Sequence, residues 1–107
     1  MNNDQKSPND IFNETVIEIL KEMYAFFGKG DMSSSLEANL IFDESQRVIK
    51  WETLLVNGQG QTAPIELSMK INSISAQLSD LPANYRLASC KFSVQSGGHM
   101  DIDPVYR

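Results

Sequence analysis

The sequence is poor in the residues that build covalent or metal frameworks. Its 107 residues include one cysteine, Cys90, and one histidine, His99. A single cysteine excludes an internal disulfide and any zinc site made of several thiolates, and it is typical of a reducing, cytoplasmic compartment. The first ten residues are polar and no run of 18 apolar residues occurs, so we expect neither a signal peptide nor a membrane span.

Positive charge is also scarce. Nine Lys and Arg residues oppose 14 Asp and Glu residues, which gives a formal charge of -5 at pH 7. Binding to nucleic acid or to an anionic membrane depends on clustered positive charge, so we expect neither as a partner. An acidic surface attracts basic proteins instead. The length and the 41% hydrophobic content fit one domain over residues 7–107, after a polar segment at 1–6 that we expect to be disordered.

The first half of the chain predicts a helix and then a β-hairpin. Ser7 and Pro8 are the residue types of a helix N-cap and first turn, and Gly28 and Gly30 are typical of the end of a helix. The apolar residues between them recur at spacings of three and four: Phe12, Val16, Ile19, Leu20, Met23, Phe26 and Phe27. The period then changes to two over Leu36–Phe42 and Val48–Val56, which predicts two antiparallel strands.

The second half predicts another helix and another hairpin. Residues 57–61 are interpreted as a flexible loop, after which Thr62 is expected to cap a helix that runs to residue 81. One face of that helix is apolar: Leu67, Ile71, Ile74, Leu78 and Leu81. Strands are expected around residues 87–94 and over 100–105, and Pro104 places the last strand at a sheet edge.

The predicted fold class is therefore α+β, with the order α-β-β-α-β-β. Two hairpins merge into a four-stranded antiparallel sheet, and both helices cover one face of it. In the third strand, Ala88, Cys90, Phe92 and Val94 form the inward-facing set. In the second strand, Ile49, Trp51, Thr53 and Leu55 share a face. We favour the register that turns this face toward the helices and puts Trp51 in the core, whereas the other register exposes Trp51 as an interface anchor.

Two groups of residues have the types needed for chemistry. His99, Asp101 and Asp103 alternate along the last strand and share a side, as ligands of a divalent metal or residues of a small enzyme would. Three ligands on one strand need a second element to complete the shell, so a solvated polar face is the simpler interpretation. Cys90 and His99 are residue types of a nucleophile and its base, but Cys90 belongs to the inward set and is expected to be inert. We predict no enzyme activity, no metal and no cofactor.

The closing segment, residues 91–106, reads KFSVQSGGHMDIDPVY: an alternating strand, a glycine turn, an acidic strand and a tyrosine. In this segment and in its order of elements, the chain resembles the small immunity proteins of bacterial polymorphic toxin systems, including the YezG-like group and those of contact-dependent growth inhibition. The resemblance implies a non-enzymatic protein that binds a cognate toxin domain and occludes its active site. A nuclease toxin, with its cationic groove, would suit an acidic inhibitor.

The residues expected to contact such a toxin are mainly acidic and lie in the loops and on the open sheet face: Asp43, Glu44, Trp51, Glu52, His99, Asp101 and Asp103. The protein is expected to be a monomer or a homodimer. The alternative is a small acidic secretion chaperone, which would dimerise and hold an extended effector segment in an apolar groove.

Overall fold

The computed structural model describes residues 6–28 and 34–107. In these residues the chain forms helices α1 (Pro8–Gly28) and α2 (Ile65–Ser75), two short 3-10 helices (Ala76–Asp80 and Ala83–Tyr85), and strands β1 (Leu36–Phe42), β2 (Val48–Val56), β3 (Gln59–Gly60), β4 (Leu87–Val94) and β5 (Met100–Tyr106). The antiparallel sheet has the order β3-β2-β1-β4-β5. The α+β class is confirmed, but the described sheet has five strands instead of the four expected. Both helices and one face of the sheet contribute to a single hydrophobic core.

Helix α1 begins and ends where the sequence predicts. The Ser7 Oγ accepts a hydrogen bond from the backbone N–H of Asp10 at 3.2 Å, as an N-cap does, and Gly28 is the last helical residue. The predicted apolar stripe is buried as far as Met23, whereas Phe26 is 46% exposed. Gly30 and residues 1–5 of the predicted disordered segment lie outside the described residues. Lys6 is described, and its ammonium lies 2.7 Å from the Glu14 carboxylate.

Helix α2 starts later than predicted. Pro64 is its N-cap, and its carbonyl oxygen accepts hydrogen bonds from the N–H groups of Leu67 and Ser68. Proline disfavours the helical conformation in the residue before it, so the helix cannot extend back to Thr62. The predicted apolar face is nevertheless buried throughout, although the last turns from residue 76 are 3-10 helix.

Strand β3 follows a tight turn that the sequence analysis interpreted as a flexible loop. Asn57 and Gly58 both have positive φ, +53° and +80°, which is the conformation of the two-residue hairpin turn that Asn-Gly favours. The Asn57 side chain fixes this turn to the start of β1, because its Oδ1 accepts a hydrogen bond at 2.8 Å from the N–H of Ser35, the residue before that strand. The chain therefore adds a fifth strand, with Gln59 and Gly60 opposite Val56 and Leu55.

Two irregularities in β2 change which of its residues face the helices. Along β1 the partners are Thr53, Trp51, Lys50 and Val48, so Glu52 and Ile49 are extra residues at bulges. Each bulge shifts the alternation by one residue. The helix-facing set is therefore Val48, Trp51, Leu54 and Val56. Of the set predicted to face the helices, Trp51 alone does so, and Ile49 is 62% exposed.

Trp51 packs against the core and is half-buried. Its indole N–H donates a hydrogen bond to the Ser68 Oγ on α2 at 2.9 Å. A buried indole needs such an acceptor, so the expectation that Trp51 is a core residue is confirmed in its direction, and the polar end of the side chain is satisfied by a helix.

Strands β4 and β5 follow the prediction except at the start of β4. Cys90, Phe92 and Val94 are buried, but the first inward residue is Leu87 and Ala88 is only half-buried. A register shift between Leu87 and Ser89 accounts for the change. Strand β5 is terminal in the sheet order, so the edge position predicted from Pro104 is confirmed.

A buried glutamine joins three separate parts of the chain. Gln46, in the β1–β2 turn, is fully buried with φ of +65°. Its side chain bonds to the backbone of Leu87 at the start of β4, and its carbonyl oxygen accepts a 2.6 Å hydrogen bond from the Ser75 hydroxyl at the end of α2. A residue that the sequence analysis interpreted as part of a polar turn therefore holds one end of the fold together.

Candidate functional site: the open face of the sheet

The face of the sheet that points away from the helices consists of three cross-strand rows. We call the twelve residues of these rows the open face. The register gives them as Leu55, Glu37, Ser93 and Asp101; Thr53, Asn39, Lys91 and Asp103; and Lys50, Ile41, Ser89 and Val105. All twelve are exposed or half-buried, so this surface is accessible to a partner.

Carboxylates outnumber amines on the open face. Glu37, Asp101 and Asp103 belong to its rows, and the bulged residue Glu52 joins them because its Oε1 accepts a hydrogen bond from the Asn39 Nδ2 at 3.3 Å. The positive groups are two lysines, Lys50 and Lys91. The Lys91 ammonium lies 4.0 Å from the Glu37 carboxylate, which is a weak, exposed ion pair. The surface is therefore negative, with four acids against two bases.

The structure brings together some of the predicted contact residues. Asp101 and Asp103 lie side by side on the open face, with Glu52 on the same surface. His99 is in the turn before β5, where its Nε2 is 3.6 Å from the Asp101 carboxylate. The part of the prediction that placed the last acidic strand on an open sheet face therefore matches the structure.

The other predicted contact residues lie elsewhere, so the seven do not form one site. Trp51 is on the helix-covered face. Asp43 and Glu44 follow β1, at the end of the sheet opposite to the β4–β5 turn. The Asp43 Oδ1 accepts a hydrogen bond from the Arg47 N–H at 3.0 Å, so this carboxylate stabilises its own turn.

Neither of the catalytic hypotheses finds support in the geometry. Cys90 is fully buried, and burial, aided by the negative charge of Asp103, raises the pKa of its thiol to about 12. A thiol with that pKa is protonated at neutral pH and is not a nucleophile. Asp103 lies opposite Lys91 of β4 in the sheet register. Among residues 6–28 and 34–107, no group of three or more His, Cys, Asp and Glu is arranged to hold a metal ion.

Glu37, Asn39 and Lys91 also belong to this surface, although they were not among the residues predicted to contact a partner. The alternation of β1 already placed Glu37 and Asn39 on its polar side. Their neighbours were not predictable, because 44 residues separate β1 from β4 along the chain, and nothing in the local pattern specifies that strand order.

Neither a protein-family model, a curated protein nor a solved structure matches the chain. Function is therefore inferred from the surface just described. In the part of the chain that the structure describes, neither helix combines the length and the apolar character needed to cross a bilayer.

Proposed function

We propose that this protein binds and neutralises a basic protein, the toxin domain of a bacterial toxin–immunity pair, and that it does so by covering the toxin's active site with its open face. The observation that carries the proposal is the group of four carboxylates on an accessible sheet face. Acidic side chains on a sheet keep fixed spacings, because neighbouring strands are about 4.8 Å apart and alternate residues of one strand about 7 Å apart.

A nuclease active site is the best fit for such a surface. Enzymes that bind nucleic acid present clustered Lys and Arg side chains to the phosphates, and carboxylates such as Asp101 and Asp103 would pair with the same side chains. Charge of opposite sign also accelerates the encounter. Stoichiometric occlusion requires no catalytic group in the inhibitor.

Apolar side chains between the charges support a protein partner over a small cation. Ile41 and Leu55 are half-buried and Val105 is 53% exposed on this surface. Protein interfaces combine an apolar centre with charged groups at the rim, and desolvated apolar area supplies affinity that exposed ion pairs do not.

The proposal is tested with the secreted or toxin-like domain encoded beside this protein's reading frame. The pair is co-expressed, and a one-to-one complex with loss of toxin activity is expected. The double variant Asp101→Asn/Asp103→Asn should weaken the complex, and the loss should shrink as salt is raised.

The matched control is Glu14→Gln/Glu18→Gln on α1, which changes the net charge equally but lies on the other side of the molecule. Equal weakening by both double variants would show that only net charge matters, and an unaffected toxin would refute the proposal.

A secretion chaperone is the second candidate, because two apolar side chains on α2, Ile65 and Met69, are 74% and 65% exposed. They lie one helical turn apart, as expected for contacts with an extended segment or a second copy. Solution mass separates the two functions. A stable dimer that dissociates into monomers in the Ile65→Ser/Met69→Ser variant favours the chaperone.

A further inference from the structure

Among the described residues, the backbone groups on the outer edge of β5 have no hydrogen-bond partner in another strand. At the start of the strand, the carbonyl oxygen of His99 accepts a hydrogen bond from the Gln95 N–H, and just beyond its end the Arg107 N–H donates to the Arg86 carbonyl oxygen. Alternate residues of an antiparallel strand point their backbone groups to the same side. The odd-numbered residues from 99 to 107 therefore bond toward β4, and the even-numbered ones point outward.

The outward groups favour one stretch of this edge. Met100 and Ile102 each present an N–H and a C=O, whereas Pro104 presents a C=O alone. Within the described residues, β5 pairs with β4 on one side and with no strand on the other. The first half of β5 is thus a template to which another strand can add, and Pro104 limits how far the pairing extends.

The side chains of β5 disfavour pairing between two copies of the protein. Three antiparallel registers bring the outward groups of Ile102 opposite those of Met100, Ile102 or Pro104 of a second copy. These registers place Asp101 opposite Asp101, Asp101 opposite Asp103, or Asp103 opposite Asp103. Like charges directly opposite each other in a sheet are destabilising.

We infer that the outer edge of β5 binds an extended basic segment of the partner protein, which adds to the sheet as a sixth strand. On the open face, its alternate side chains would lie opposite Asp101 and Asp103, with Cβ atoms about 5 Å away, so lysine or arginine is favoured there. On the other face its side chains would lie beside Met100, which is 53% exposed, and Ile102. The favoured ligand therefore alternates basic and apolar residues.

This inference deepens the proposed function and takes from it only the basic character of the partner. The probe is a short capped peptide that alternates lysine with valine, titrated into the full chain and followed by amide NMR shifts and by calorimetry. Shifts centred on Met100 and Ile102 are expected. A peptide that alternates glutamate with valine should not bind, and Asp101→Asn/Asp103→Asn should weaken binding of the lysine peptide about tenfold.

Backbone pairing is tested separately from charge. A lysine–valine peptide N-methylated on the edge that faces β5 keeps its charge but loses its donors, so it should fail to bind. Met100→Pro removes an outward donor without removing a bond to β4, so it should weaken binding more than Met100→Ala, which removes only the side-chain contact. Equal binding of the methylated peptide, or shifts centred on Lys50 and Leu55, would overturn the inference.

Self-association gives a further check. The Asp101→Asn/Asp103→Asn variant should form a concentration-dependent dimer that Met100→Pro abolishes, and a wild-type dimer through β5 would contradict the inference. A toxin complex that is sensitive to the aspartate variant but not to Met100→Pro would refute strand addition and leave the proposed function intact. Peptide binding at β5 with no effect on any toxin would support strand addition and refute the proposed function.

Discussion

The side chain of Gln46 pairs with the backbone of Leu87 as a neighbouring strand would. Its Oε1 accepts the Leu87 N–H at 2.8 Å, and its Nε2 donates to the Leu87 carbonyl oxygen at 3.1 Å and to the Asp43 carbonyl oxygen at 3.0 Å. Gln46 itself has no exposed surface. Buried polar groups are costly when unpaired. The side chain at this position must therefore accept one hydrogen bond and donate two, which an amide does.

Gln46→Glu should therefore be strongly destabilising. The carboxylate loses both donated bonds and brings its charge against two carbonyl oxygens, which we expect to cost about 2–4 kcal/mol at pH 7. Protonation restores one donor, so the folded-state pKa of the new carboxyl is raised. The stability deficit relative to wild type should be smallest below about pH 4.3, the ordinary pKa of a glutamate, and should grow as the pH rises from there toward the raised folded-state pKa.

Urea denaturation at several pH values measures this deficit, and the exposed Gln61→Glu variant is the control. A deficit that is equal for both variants, or that does not change with pH, would show that the Gln46 contacts contribute little.

The buried thiol of Cys90 predicts a loss of stability at alkaline pH. The pKa of the thiol is 9.0 in its ordinary state and about 12 in the folded protein. Between these two values the native thiol keeps its proton while the unfolded thiol releases it. The contribution of the thiol to the free energy of unfolding is therefore complete below pH 9. It is lost between pH 9 and about 12, by about 1.4 kcal/mol per pH unit.

Cys90→Ala removes this titration. Other groups titrate in both proteins, so their effects cancel in the difference in unfolding free energy between wild type and the variant. This difference should narrow from pH 8 to pH 10.5. The folded wild type should also react slowly with thiol reagents at neutral pH, and rapid labelling without unfolding would contradict the burial of this side chain.

The hairpin turn before β3 predicts a position-specific glycine effect. Gly58 has φ of +80°, and Gly60 lies in β3 without a positive φ, while a Cβ at either position would meet no atom within 4 Å. Gly58→Ala should cost about 1–2 kcal/mol because of backbone strain alone. Gly60→Ala should change stability little, and chemical denaturation of the two variants makes the comparison. Equal effects would mean that the turn is not held in this conformation.

The hydrogen bond between Trp51 and Ser68 is expected to stabilise the contact of α2 with the sheet. Ser68→Ala removes the acceptor of the indole N–H and should cost about 1 kcal/mol. Ser73→Ala is the control on the same helix, because the Ser73 hydroxyl is exposed and bonds only to the Lys70 carbonyl oxygen among the described contacts. Trp51 is the sole tryptophan, so its emission should shift in Ser68→Ala and remain unchanged in Ser73→Ala.

Features set by local periodicity were predictable from the sequence. The buried stripe of α1 and the alternation of β1 follow from spacings of three, four and two residues. Strand β3 was also recognisable, since Asn57-Gly58 is a strong hairpin signal, but it was interpreted as a loop. The bulges at Ile49 and Glu52 were not recognisable, because they exist only in the pairing of β2 with β1.

The same distinction applies to the candidate site. Alternation along one strand predicted that Asp101 and Asp103 share a face. Alternation could not predict that Glu37 and Lys91 lie beside them, because that requires the strand order. Asp43 and Trp51 were grouped with them on residue type alone. Gln46 shows the same limit, since its burial depends on α2 and β4 meeting at its turn.

The central position of β1 has a consequence for synthesis of the chain. Its two neighbours come from opposite directions along the sequence: β2 follows at once, but β4 is complete only at Val94. Until the ribosome has released that segment, one side of β1 has no partner, and the nascent hairpin is open to aggregation. Pairing on the second side of β1 is therefore expected to wait until Val94 has left the ribosome, and the emerging hairpin is a natural client for chaperones that bind extended segments.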